Sequence, residues 1–119
     1  MAEYQLGAME SRFAEMVWTH APISTAELVK RCEAELNWKR TTTYTVLKRL
    51  CEKGLFAMRD GTVTVLVDRD TFYARQSRQY VDTAFQGSLP AFLTAFSKRR
   101  RLSEKEIEDL EKIIAQMKE

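Results

Sequence analysis

The sequence predicts a mainly α-helical protein in which three helices and a β-hairpin precede a C-terminal helical region. Apolar residues recur at helical spacing from Leu6 to Cys51, and the period then changes from 3.6 to 2 on either side of Asp60-Gly61. Helical periodicity and helix-capping residues return after residue 68. We therefore expect two domains, residues 1–68 and residues 69–119.

The first two helices are indicated by apolar stripes and by the residues at their ends. The first begins near Leu6, and Pro22 follows its end. Ser24 and Glu27 form a Ser-x-x-Glu capping box, which predicts the start of the second helix.

The third helix, predicted at about residues 41–53, has two different sides. Placing its residues at helical angles gives an apolar side with Thr43, Val46, Leu47, Leu50 and Cys51. The other side carries threonines, although β-branched residues are mediocre helix formers. This choice of residues suggests that the outer face of the helix contacts a ligand.

The hairpin is predicted from Asp60-Gly61, a sequence typical of a two-residue turn. In that register Met58 faces Val63, and Phe56 faces Val65, on one side of the hairpin. Three helices followed by a hairpin are the order of a winged helix-turn-helix. In that fold the third helix enters the major groove of DNA and the hairpin, or wing, lies on the backbone.

The charge distribution also favours DNA. The chain has a formal net charge of only +2, but six basic residues face one acidic residue between Leu36 and Arg59. Short threonine side chains allow close approach to base edges, so we predict Thr41, Thr42 and Thr45 as base-reading residues. The predicted contacts to the DNA backbone are Lys39, Arg40, Tyr44, Lys48, Arg49 and Arg59. Two alternatives stay open: Thr41 and Thr42 merely cap the helix, and Tyr44 fills the gap to the hairpin.

The C-terminal region shows three helix starts. Asp68 or Asp70 could cap a first helix, Ser88 caps a short second one, and Ser103 and Glu106 form a capping box for the last. The last two helices carry apolar faces that a chain of 119 residues can hardly bury alone, so we predict a homodimer. Its predicted contacts are Leu89, Phe92, Leu93, Phe96, Ile107, Leu110, Ile114 and Met117. The alternative is that both helices fold back on the N-terminal domain.

Other features exclude several protein classes. The sequence has no apolar run near membrane-spanning length and no secretory signal, which predicts a cytoplasmic protein. Cys32 and Cys51 are expected to be reduced, buried thiols, and the single histidine makes a metal site improbable. No nucleophile–base pair or phosphate loop is present, so we expect neither an enzyme nor a cofactor.

Two further function classes compete with DNA binding. A winged helix can serve as a protein–protein adaptor, because fold does not fix function. The chain could also be a small-molecule-responsive regulator, with a pocket lined by Phe72, Tyr73, Tyr80 and Phe85, although aromatic residues at this spacing more often belong to a core.

The sequence resembles the penicillinase-repressor family of the BlaI, MecI and CopY type. The resemblance lies in LGAMESRFAEMVW (6–18), TTTYTVLKRLCEKGL (41–55), FQGSLPAFLTAF (85–96) and LSEKEIEDL (102–110). It implies a homodimeric repressor that binds a palindromic operator and blocks transcription. In several members, a sensor of β-lactams leads to proteolytic cleavage of the repressor, which implies an inducer-linked protease as a partner.

Three departures from the family pattern concern induction and the wing. The usual cleavage point is an Asn-Phe bond, and the matching position, the candidate release site, reads Ala95-Phe96. Copper-responsive members carry Cys-x-Cys motifs near the C-terminus, whereas this chain has no cysteine after Cys51. The wing lacks the family's Gly-Arg pair, which leaves Arg59 as its phosphate contact.

Overall fold

Three helices and a short strand form the first part of the chain. The computed structural model describes residues 5–119, in which α1 (Ala8–His20) is followed by β1 (Ile23–Ser24), α2 (Thr25–Leu36) and α3 (Arg40–Glu52). The hydroxyl of Ser24 accepts a hydrogen bond from the Glu27 N–H at 3.1 Å, which confirms Ser24 as the cap of α2.

The hairpin that follows α3 has the predicted register. Strands β2 (Phe56–Arg59) and β3 (Thr62–Val65) pair antiparallel. Asp60 and Gly61 both have positive φ, 53° and 74°, as a type I′ turn requires. The strand order β1-β3-β2 was not predicted, because β1 has only two residues and therefore shows no periodicity.

The core of this part is formed by the predicted apolar faces. Its largest fully buried side chains include those of Phe13, Leu28, Leu50, Phe56 and Phe72. The prediction that the apolar hairpin residues share one buried side was wrong for Met58. Its side chain is 51 % exposed, whereas its partner Val63 is fully buried and also pairs with Ile23 of β1.

Helix α4 (Arg69–Phe85) is held to α1 by its first turns. Asp68, not Asp70, caps it, because the Asp68 carboxylate accepts a hydrogen bond from the Thr71 N–H at 2.7 Å. Trp18 of α1 contacts the rings of Phe72 and Tyr73, and its indole N–H donates to the Val67 carbonyl at 2.9 Å.

The chain divides into two compact units, and the division falls between Gln79 and Tyr80. This position is later in the chain than the predicted domain boundary between residues 68 and 69. The second unit contains the end of α4, α5 (Leu89–Ser97) and α6 (Glu104–Met117). Ser88 caps α5 as predicted, and Ser103 and Glu106 form the predicted reciprocal capping box of α6. The assignment of DNA binding and dimerisation to separate domains stays a prediction.

Candidate nucleic-acid interface

The outer face of α3 is exposed along its length. Lys39 is the N-cap residue of α3 and makes no side-chain capping bond, so the helix begins at Arg40 and not at Thr41. The idea that Thr41 and Thr42 cap the helix is therefore wrong. Both lie within the first turn with exposed side chains, as does Thr45 one turn later.

The inner face of α3 fixes which way these threonines point. Thr43, Val46, Leu47 and Leu50 are buried, and Thr43 is only 1 % exposed. The Thr43 hydroxyl donates to the Lys39 carbonyl at 3.4 Å, which satisfies the polar group. The packing of this side against the core leaves the opposite side of α3 to solvent.

The hydroxyl of Thr45 is already engaged as a donor. It donates a hydrogen bond to the Thr41 carbonyl, with an oxygen–oxygen distance of 2.9 Å. The hydroxyl oxygen keeps its acceptor lone pairs, and the γ-methyl group is exposed with it. Thr45 thus offers an acceptor and a methyl group, which suits an amino group or a thymine methyl on a base edge.

Positive charge surrounds the exposed threonines. Lys39, Arg40 and Lys48 are exposed, and the Arg40 guanidinium lies 5.6 Å from the centre of the Tyr44 ring. Tyr44 is itself partly buried. Arg59, the predicted contact on the wing, is exposed at the end of β2, beside the hairpin turn.

Arg49 has a partner that the sequence did not reveal. Its guanidinium lies 3.0 Å from the carboxylate of Glu10 in α1, with side-chain exposures of 52 % for Arg49 and 16 % for Glu10. The Gly7 N–H, which also donates to Glu10, lowers the pKa of that carboxyl, and Arg49 and Lys53 lower it further. One guanidinium nitrogen is bonded to Glu10, so other N–H groups of Arg49 remain available to a phosphate.

The second unit has no buried core of its own. No residue from Tyr80 to Glu119 is buried in the single chain. Phe96 is 56 % exposed and Met117 is 75 % exposed. A groove of about 340 Å³ lies between α5 and α6, lined by Phe92, Leu93, Phe96, Leu102, Glu106, Asp109, Leu110 and Ile113. The predicted dimer contacts lie on these two helices, and Ile113 of α6, which is also exposed, is not among the predicted residues.

The chain is similar to proteins of one known family. The family model described as penicillinase repressor matches residues 6–116. The chain belongs to the penicillinase repressor family.

Three relatives are similar to this chain over nearly its whole length, although their sequence identity to it is low. The penicillinase repressor of Bacillus licheniformis is 27% identical, with 96% of this chain and 92% of that protein covered. The methicillin resistance regulatory protein MecI of Staphylococcus aureus is 22% identical, with 93% of this chain and 94% of that protein covered. MecI of Mammaliicoccus sciuri is 21% identical over the same shares. The penicillinase repressor family is thus one of transcriptional regulators and not of enzymes.

The candidate release site of this family member lies inside a helix. Ala95 and Phe96 are both exposed, in the second half of α5. A protease binds an extended substrate, so α5 would have to open locally before the Ala95-Phe96 bond could be cut.

The aromatic residues considered for a small-molecule pocket belong to two different clusters. Phe72 and Tyr73 pack on Trp18 in the first unit. Tyr80 and Phe85 pack on each other and on Phe92 in the second unit. Each aromatic ring therefore has a local packing role.

The remaining side chains with reactive or ligating chemistry are sparse. Cys32 is buried and Cys51 partly buried, both are free thiols, and burial raises the pKa of each. Within residues 5–119 no group of acidic, histidine and cysteine side chains is arranged to hold a metal ion. Across the same residues, no helix combines the length and apolar character needed to span a membrane.

Proposed function

We propose that this family member is a sequence-specific transcriptional repressor that binds a palindromic operator as a homodimer. Helix α3 of each protomer lies in the major groove of one half-site, and the wing lies against the backbone. Because a repressor acts where chromosomal DNA is found, we infer that the protein works in the cytoplasm. The observation that carries this proposal is the exposed outer face of α3, with three threonines between basic side chains.

Base reading falls to Thr41, Thr42 and Thr45. Their side chains are short and exposed, so the helix backbone can approach the base edges closely. The bond from Thr45 to the Thr41 carbonyl holds the Thr45 hydroxyl in one orientation. A hydroxyl whose donor is already used discriminates between bases better than a freely rotating one, because it can accept from a base amino group but cannot donate to a base acceptor.

Phosphate contact falls to Lys39, Arg40, Lys48 and Arg49 around α3, and to Arg59 on the wing. Lys39 and Arg40 stand at the N-terminus of α3, where free backbone N–H groups also attract an anion. The Gly61 carbonyl accepts a hydrogen bond from the Thr25 N–H at 2.9 Å, which ties the hairpin turn to the start of α2. This bond supports a wing whose position is fixed before DNA arrives.

Dimerisation falls to the apolar residues of α5 and α6. The lack of any buried residue in the second unit supports a partner surface, because exposed apolar patches of this extent are rare on monomers. Two linked DNA-reading units gain affinity through effective concentration, since binding of the first half-site brings the second within reach.

Release from the operator follows from the same coupling. An inducer-linked protease that cuts between Ala95 and Phe96 would separate α6 from the DNA-reading unit. The multiplicative gain from two linked half-sites would then be lost. Incubation of purified protein with a lysate of induced cells, followed by mass spectrometry of the fragments, would test this bond against other cut sites.

The decisive experiment is selection of bound sequences from a random DNA pool by the full chain. We expect a palindrome whose half-site centres are separated by about one helical turn or a multiple of it. A footprint on the selected sequence should then disappear for a variant in which Thr41, Thr42 and Thr45 are all replaced by alanine. Failure to enrich any sequence would contradict the proposal.

A further inference from the structure

The link between α5 and α6 carries four consecutive basic residues, Lys98–Arg101, here called the basic link. All four side chains are exposed, and none forms an ion pair with any residue between 5 and 119. The pKa of Glu106 in α6 is lowered mainly by the hydrogen bond from the Ser103 N–H. The nearby positive charge of Arg100 lowers it further. Adjacent like charges repel one another, so an anionic surface would stabilise this segment.

Helix α6 provides such a surface along one side. Glu104, Glu108 and Glu111 follow one another at spacings of four and three residues, so they form one stripe, here called the acidic stripe. All three are exposed, and in the described part of the chain none forms an ion pair. Glu111 follows Ile107 by four residues, so the acidic stripe borders the apolar face of α6.

A parallel pairing of α6 with a second α6 is disfavoured by the charges that flank its apolar seam. With Ile107 and Leu110 at the a and d positions of a heptad, Glu106 and Glu111 occupy the flanking g and e positions. A parallel pair would bring Glu106 of one copy against Glu111 of the other on both sides of the seam, and like charges at these positions are destabilising. The seam is also only two heptads long, which is marginal for an isolated coiled coil.

We propose that the basic link of one protomer docks on the acidic stripe of a second copy, while the apolar residues of α5 and α6 are buried beside this contact. The two-fold symmetry of the dimer forms the contact twice. The charge complementarity then fixes which helices meet, since α6 of one copy lies against the end of α5 of the other. This inference rests on the homodimer of the proposed function and adds the surface that selects its arrangement.

Two charge-reversal variants of the full chain test the contact. The link variant carries Arg99→Glu, Arg100→Glu and Arg101→Glu, so that its link repels the acidic stripe of an identical copy. We expect its homodimer dissociation constant in sedimentation equilibrium to rise about 100-fold, because several rim pairs change from attraction to repulsion. The wild-type dimer should also weaken as salt rises from about 50 mM to about 500 mM, since exposed charges are screened.

The stripe variant carries Glu104→Lys, Glu108→Lys and Glu111→Lys and should be weakened in the same way. An equimolar mixture of the two variants should form heterodimers with a dissociation constant within about 10-fold of the wild-type value, because each altered surface then meets its opposite. A contact made only within one chain would not be restored by mixing. This separates an interaction between protomers from a local effect on α6.

A matched control reverses charge outside the proposed contact. Lys30→Glu combined with Arg75→Glu alters two exposed cations of the first unit and should leave the dissociation constant unchanged. The equimolar mixture of the link and stripe variants should show the helix content of the wild type in circular dichroism. Unaltered homodimers of either variant, or a mixture that stays monomeric, would overturn the inference.

The outcomes also distinguish this inference from the proposed function. If the wild-type chain is monomeric without DNA and on the selected operator, the proposed homodimer itself fails. If the wild-type chain dimerises and the link variant stays dimeric but has a shallower salt dependence on DNA, the basic link contacts phosphates instead. That result would overturn the docking contact and leave the repressor proposal in place.

Discussion

Replacement of Thr45 by alanine is the sharpest test of base reading by α3. Thr45 is exposed and its side chain contacts the Thr41 carbonyl of its own helix, so its removal should not unfold the protein. Alanine is in fact the better helix former at such a position, by up to about 0.7 kcal/mol. Any loss of DNA affinity would therefore reflect the missing contact and not a weaker fold.

The expected magnitude follows from the geometry. A single hydrogen bond between the Thr45 oxygen and a base amino group contributes about 1 kcal/mol per half-site. A two-fold dimer makes the contact twice, so Thr45→Ala should cost about 2 kcal/mol, or about 30-fold in dissociation constant on the selected operator. Binding to random DNA should not change, because that binding depends on phosphate contacts.

Fluorescence anisotropy at one fixed salt concentration measures both affinities. Thr45→Val separates the two halves of the side chain, because valine keeps a methyl group and loses the acceptor. Equal affinity for Thr45→Val and wild type would assign the contact to a thymine methyl, whereas a loss as large as that of alanine would assign it to the oxygen.

Thr19→Ala is the matched control, since the Thr19 hydroxyl donates to the Glu15 carbonyl in the same way on the surface of α1. Equal losses on operator and random DNA for Thr45→Ala would refute the base-reading role.

Three other predictions concern phosphate contact, acid stability and the dimer. Lys48→Ala should weaken binding to operator and random DNA alike and reduce the slope of log K against log salt by about one unit per protomer; an unchanged slope would remove Lys48 from the backbone contacts. The pKa of Glu10 is lowered in the folded chain, so its carboxylate contributes stability that is fully present above the ordinary value of 4.5 and is lost as the pH falls through the lowered folded-state pKa. Glu10→Gln should therefore cost about 0.5 kcal/mol in urea unfolding at pH 7 and much less at pH 3, as followed by tryptophan fluorescence; an equal cost at both pH values would contradict the role of the charge. Leu110→Asp should yield monomers in sedimentation with a folded first unit, because an unpaired carboxylate in the interface costs about 3–5 kcal/mol; an intact dimer would exclude Leu110 from the contact.

Features set by local chemistry could be predicted from the sequence. The hairpin register followed from Asp60-Gly61, since both turn residues need positive φ and few other pairs tolerate it. The starts of α2, α5 and α6 followed from Ser24, Ser88 and Ser103, whose hydroxyl groups accept backbone hydrogen bonds at each N-terminus. The buried side of α3 followed from helical spacing alone.

Features set by distant parts of the chain could not be predicted in this way. The pair of Glu10 with Arg49 joins residues 39 positions apart, and no periodic pattern relates their positions. Strand β1 exists because Ile23 pairs with Val63, a contact that depends on the prior formation of the hairpin. Met58 lies on β2, an edge strand of the sheet, where its side chain is 51 % exposed, and coverage of a sheet face is a property of the assembled core.

In the proposed repressor, the contrast between the two units would link stability to the control of DNA binding. The first unit has its own buried core, around Phe13 and Phe56, whereas the second has exposed apolar faces on α5 and α6. If those faces pair only in the dimer, the order of the second unit depends on protein concentration, as it does for obligate dimers. In the proposed homodimer, operator affinity would depend on the same pairing, because only a dimer engages two half-sites at once. A modest fall in the amount of repressor, or a single cut in α5, would then reduce operator occupancy more steeply than the loss of any one DNA contact.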